Sequence, residues 1–139
     1  MTQNEKDILL KDLCARLPYG VNMATSYGKG LLTSIRVNDS NEKLGINVDP
    51  VLTRLFNVNE VKPYLFPLSS MTEEHKRELS NICKCLISFT DWEIYFPNCE
   101  DNNMGNWQKS VSWMYKNHYD INGLIPMGLA NDATGLNIY

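Results

Sequence analysis

Leu10, Leu13, Cys14 and Leu17 recur at i, i+3, i+4 and i+7, an apolar stripe along one side of a helix. Thr2 and Glu5 make a capping box ahead of it, in which each side chain accepts an N–H bond that the first turn cannot make internally. The pattern predicts a first helix that ends at "LPYG", where Pro18 cannot continue it and Gly20 allows the exit. From Val21 the period changes to two. Val21, Met23, Thr25 and Tyr27 fall on one side, "GKG" at 28–30 signals a turn, and Leu31, Thr33, Ile35 and Val37 alternate with their neighbours. "NDSNEK" at 38–43 predicts another turn before Leu44, Ile46 and Val48, so the hairpin extends to a three-strand meander ending at Asp49.

Leu52, Leu55 and Phe56 have near-helical spacing, but Pro50, Asn57 and Asn59 break it, and residues 50–61 read as irregular. Proline biases the residue before it towards extended backbone, so "KPYLFP" at 62–67 reads as a stiff crossing segment that lays Tyr64, Leu65, Phe66 and Leu68 over the core. Ser70 with Glu73 forms a second box, with Thr72 as a rival cap, ahead of a helix striped by Leu79, Ile82, Cys83 and Leu86. Residues 86–96 read as a strand, with Trp92, Ile94 and Phe96 on one face and Asp91, Glu93 and Tyr95 on the other. A polar loop at 97–106 leads to a last helix marked by Trp107, Val111, Met114, Tyr115 and His118 and stopped near Asn122-Gly123, after which the tail reads as irregular. The expectation is one α+β domain over residues 1–139, an antiparallel β-meander packed with about three helices.

Composition narrows the functional classes. The chain has 43% apolar residues and a net charge of −3, with its 13 Lys and Arg scattered, so no basic stripe faces a row of phosphates. This speaks against nucleic acid as a partner. No apolar run reaches the ~18 residues of a membrane span, and the charged N-terminal stretch lacks the apolar centre of a signal peptide. A cytoplasmic protein with reduced cysteines and no membrane association is the expectation.

Chemistry-bearing groups are sparse. Cys83, Cys85, Cys99, His75 and His118 lack zinc-site spacing, and no glycine-rich phosphate loop is present, so no metal or cofactor is expected. His75, just after two glutamates, reads as solvated, and His118 as a cation suited to a helix end. Helix N-termini attract anions, but Glu73 and Glu74 would repel one here. Asp91 and Glu93 project from one strand face and, with His118, form an alternative site near the 97–106 loop for a small enzyme or ligand-binding domain. Tyr64, Tyr95 and Trp113 fall outside an obvious buried stripe and are the candidate contacts for a protein partner of unknown identity. On this reading the protein is a non-enzymatic accessory protein.

Three blocks, "KDLCARLPYG" (11–20), "VKPYLFPLSSMTEEHKREL" (61–79) and "HYDINGLIPMGLA" (118–130), resemble a family of small uncharacterised proteins of gut Bacteroidales bacteria, their prophages and phages. The chain departs from the family's pattern at Phe66, where a basic residue is common, and at Asn117-His118, where two histidines are adjacent. It also has "DINGLI" in place of "DYRGLI". The resemblance implies a phage-related or mobile-element origin and a compact α+β fold, with no activity to transfer.

Overall fold

The computed structural model describes residues 1–38, 41–49, 52–83, 88–89, 94–95 and 104–139. Helix α1 (Gln3–Arg16) opens with the expected box: Thr2 N–H donates to Glu5 Oε2 at 2.6 Å, and Glu5 N–H to Thr2 Oγ1 at 3.2 Å. Its buried side differs from the expected stripe. Leu9, Leu13 and Arg16 are fully covered together with Asp12, while Cys14 is exposed. The offsets 9, 12, 13 and 16 still describe one helix face, but Arg16 and Asp12 have taken places expected for apolar residues, and they satisfy each other across one turn.

Strands β1 (Asn22–Thr25), β2 (Gly28–Asn38) and β3 (Asn41–Asp49) form the predicted meander, with the first turn placed earlier than expected. Thr25 pairs with Gly28, so Ser26 and Tyr27 are the loop and the glycines belong to β2. Gly28 adopts φ 106°, which suits glycine, and the Thr25 hydroxyl ties the turn by donating to the Gly28 carbonyl at 2.7 Å. Gly30 serves a different need: a Cβ there would lie 2.6 Å from Ile46 Cγ2 and 2.8 Å from the Asn47 carbonyl.

The stretch read as irregular holds strand β4 (Leu52–Asn57) and a single 3-10 turn (Val58–Glu60). Of β4, only Phe56 is buried, and an edge strand with one core residue carries no alternation to detect. The crossing segment is likewise a strand, β5 (Lys62–Leu65), with Pro63 and Leu65 turned to the core. Residues 88–89 and 94–95, expected within one strand, are two short strands, β6 (Ser88–Phe89) and β7 (Ile94–Tyr95), paired antiparallel. Helix α2 (Glu73–Cys83) precedes them, and α3 (Met104–Lys116) and β8 (Asn131–Asp132) follow, so the tail read as irregular also supplies a strand.

The main sheet runs β4-β3-β2-β1-β5-β8, antiparallel except between β5 and β8. The architecture is therefore α+β, with three α-helices among the described residues. Leu9, Leu10 and Leu13 of α1 pack with Met23, Leu32, Leu44, Ile46, Phe56 and Leu65 of the sheet. A second, smaller core joins Leu68 and Met71 to Leu79 of α2, Met114 of α3 and Tyr119. Phe66 links the two halves: its N–H donates to the His118 carbonyl at 2.9 Å, and its carbonyl accepts from Asp120 N–H at 2.8 Å. The end of β5 is thereby fastened to the end of α3. Among the described residues no helix is long and apolar enough to cross a membrane.

Candidate functional site

The junction fastened by Phe66 places the start of α2 beside the end of α3. Ser70 lies in the 3-10 turn Leu68–Ser70, with its hydroxyl donating to the Pro67 carbonyl at 2.7 Å. Thr72, the rival cap, is the one in place: its Oγ1 accepts from His75 N–H at 3.2 Å. That cap sets His75 in the first turn of α2, one turn before Leu79 and on the same side. His75 is consequently half-buried and not solvated as its sequence neighbours implied. Its ring lies 5.1 Å from Trp113 and 5.8 Å from Tyr119, edge-on to both, while Trp113 stacks on Tyr119 at 6.0 Å and 18°.

His75 Nδ1 and the Tyr119 hydroxyl are 2.6 Å apart. Tyr119 is buried, and its pKa is pushed up to about 12 by burial and, secondarily, by the charge of Glu78. The phenol keeps its proton, and a buried hydroxyl needs an acceptor. Among the described residues His75 Nδ1 is its partner, and which of the two donates follows the imidazole tautomer.

Phe66, Ser70, Thr72, His75, Asn117 and Tyr119 line an open cavity of about 180 Å³. Two walls are aromatic, and the others offer hydroxyl, imidazole and carboxamide groups. Asn117 Nδ2 donates to the Trp113 carbonyl at 2.8 Å, which orients the carboxamide.

The end of α3 is closed by His118, at φ 62°. His118 N–H donates to the Tyr115 carbonyl and Tyr119 N–H to that of Met114, the bond pair of a left-handed helix cap, a place glycine usually takes. Its ring stacks on Tyr139 at 3.6 Å and 9°. The expected cation at a helix end is not found: burial, with the Arg16 charge as a second cause, lowers the His118 pKa to about 4.

Because that pKa falls below 6.5 on folding, His118 supports the fold fully above pH 6.5 and progressively less as pH falls towards 4. The loss is on the order of 1–2 kcal/mol after allowance for its partial exposure. Asp120 works oppositely, since burial raises its pKa, although bonds from Leu124 and Ile125 N–H partly offset this. His118→Asn, which tolerates the left-handed backbone, is expected to flatten the acid limb of stability between pH 6.5 and 4.5 relative to the parent chain. Urea denaturation of both chains across that range measures the difference.

Of the residues singled out by sequence, Trp113 belongs to this cluster. It stands behind Tyr119, with its Nε1–H donating to Glu78 Oε2 at 3.3 Å. Tyr64 does not line the cavity. It lies half-buried between core-facing Pro63 and Leu65, and its carbonyl accepts from the Tyr139 hydroxyl at 2.7 Å. Asp91 and Glu93, with Cys85, Cys99 and residues 97–103, lie outside the described residues, as does the side chain of Tyr95. Sequence reasoning passed over His75 and Tyr119. The offsets from His75 to Leu79 and Ile82, four and seven, extend the α2 stripe backwards and signalled its half-buried place.

Among the described residues no group of three His, Cys, Asp or Glu side chains is placed to hold a metal ion. A larger hollow of about 370 Å³ beside the start of α1 includes Lys6 and Glu42, which pair with each other. Comparison with protein-family models, curated proteins and solved structures finds no match to the chain.

Proposed function

We propose that this chain is a non-enzymatic, cytoplasmic binding protein that recognises a protein partner by seating one of its side chains between the start of α2 and the end of α3. The observation that carries the reading is the cavity of about 180 Å³ with Phe66 and Tyr119 as walls and four polar side chains around them. Its size decides the class of occupant. Sites for drug-sized molecules run to roughly 300–1,000 Å³, whereas this volume suits a single side chain. Trp113 contributes by holding Tyr119 in place, and the surrounding rings give a rigid contact surface at low conformational cost. A phage-related accessory role rests on the three sequence blocks alone.

The test is a titration of the ¹⁵N-labelled chain with a panel of N-acetyl amino-acid methylamides. The expected result is saturable shifts for at least one member, centred on the amides of Phe66, Ser70, His75, Asn117 and Tyr119. Shifts centred elsewhere, such as on β4, would overturn the reading, as would a panel that moves nothing.

A further inference from the structure

We propose that the outer face of β2, β3 and β4 is a docking surface for a segment of a protein partner that carries an acidic residue beside apolar ones. This surface lies at the β4 end of the sheet, whereas the cavity opens beyond β5, so the inference stands apart from the proposed function.

Leu32, Ile35, Leu44, Ile46 and Phe56 pack in the core with α1, and the residues alternating with them face the other way. A Cβ on Gly45 would run into Ser34 Oγ and lie 3.4 Å from Thr53 Cγ2, which sets these three residues side by side on that outer face. The register then gives three rows across the strands: Leu31, Asn47 and Thr53; Ser34, Gly45 and Leu55; Arg36, Lys43 and Asn57.

The third row breaks a rule of sheet pairing. Arg36 and Lys43 are cross-strand partners, and like charges set opposite each other work against the pairing. Lys43 is partly compensated: its ammonium donates to Asn57 Oδ1 at 2.6 Å, and its charge acts on Glu60, which Asn57 also binds. Arg36 is exposed, and among the described residues no carboxylate pairs with it. Glu42 is turned to the core side, where it pairs with Lys6 of α1. A pairing that costs stability and stays exposed is of use to an anionic partner.

The other two rows set the class of that partner. Leu31 and Leu55 are exposed there, and successive rows are about 7 Å apart, the spacing of alternate residues in an extended chain. A segment with an acidic residue, followed two and four positions later by apolar ones, would set its carboxylate over Arg36 and Lys43 and its apolar side chains over Leu55 and Leu31. Nucleic acid fits less well, because the one aromatic residue of these strands, Phe56, faces the core and leaves no ring for a base to stack on.

The test titrates the full ¹⁵N-labelled chain with N-acetyl-Glu-Ser-Leu-Ser-Leu-amide and with the same peptide carrying Gln or Lys in place of Glu. The expected result is millimolar binding of the Glu peptide, centred on the amides of Ser34, Arg36, Lys43 and Gly45. It should be at least about fivefold tighter than the Gln peptide, with no shifts from the Lys peptide, and should weaken at least about threefold between about 50 and about 500 mM salt. Arg36→Glu turns the like pair into an opposite one, so it is expected to raise the urea midpoint by roughly 0.1–0.5 M while weakening the Glu peptide at least about tenfold. Arg36→Gln should fall between the parent chain and Arg36→Glu in both measurements.

A Glu peptide that binds no more tightly than the Gln peptide would overturn the proposal, as would an Arg36→Glu chain that is less stable than the parent or keeps its affinity. Tighter binding of hexauridylate at the same amides would overturn it in favour of RNA, and a concentration-dependent dimer that buries this face would do so in favour of a second copy.

Discussion

Asp12→Ala is expected to lower the unfolding free energy by about 3–5 kcal/mol, the range for removing one partner of a buried ion pair. Arg16 has no exposed surface, and its Nε donates to Asp12 Oδ2 at 2.5 Å while Nη2 donates to Oδ1 at 3.1 Å. Alanine would leave that guanidinium buried with one remaining hydrogen bond, from Nη2 to the Tyr119 carbonyl at 2.8 Å, and a contact over the Tyr115 ring. It would also remove one of two acceptors for Asn122 Nδ2, leaving the Tyr115 hydroxyl at 3.2 Å. The double variant Asp12→Leu/Arg16→Met is expected to recover more than half of the loss, since desolvation of both charges disappears together. Urea denaturation of the three chains measures both effects, and a loss below about 1 kcal/mol for Asp12→Ala would contradict the geometry.

Tyr119→Ala is expected to cost a similar amount, about 3–5 kcal/mol, for a different reason. Tyr119 is nearly fully buried and its ring meets Phe66, His75 and Trp113, so its loss opens a void where the second core joins the cavity. Tyr119→Phe keeps the ring and removes only the hydroxyl that hydrogen-bonds with His75. It should cost about 1 kcal/mol. The contrast separates packing from hydrogen bonding: equal losses in the two variants, measured by denaturation, would mean that the ring contacts are not what hold this region.

Much of the fold was legible in local pattern. The Thr2–Glu5 box, the alternation through Leu44 and Ile46, and the Leu79–Cys83 stripe each follow from spacing within one element, whereas in β2 the large buried residue is Leu32, and Leu31 and Val37 of the named set are exposed. Strand β4 was not legible, because an exposed edge with one buried residue lacks alternation, and its membership depends on pairing with β3. The burial of Asp12 and Arg16 was hidden because charged residues read as solvent-facing until a partner one turn away is considered.

The candidate site was the least legible part. His75 and Tyr119 are 44 residues apart and meet only because Phe66 fastens β5 to the end of α3. Trp113 was picked out as an aromatic without a stripe, and its role became visible only with Tyr119 beside it. His118 looked like a helix-ending cation because the sequence does not show Tyr139 covering its ring.

If the cavity between Phe66 and Tyr119 seats one side chain of a protein partner, intermolecular nuclear Overhauser contacts to the N-acetyl amino-acid methylamide that binds it report this directly. The expected result is contacts from the side chain of that probe to the ring protons of Phe66 and Tyr119. Contacts confined to the exposed side chains of Leu31, Leu52 or Leu55, or no intermolecular contacts at saturating concentration, would contradict it.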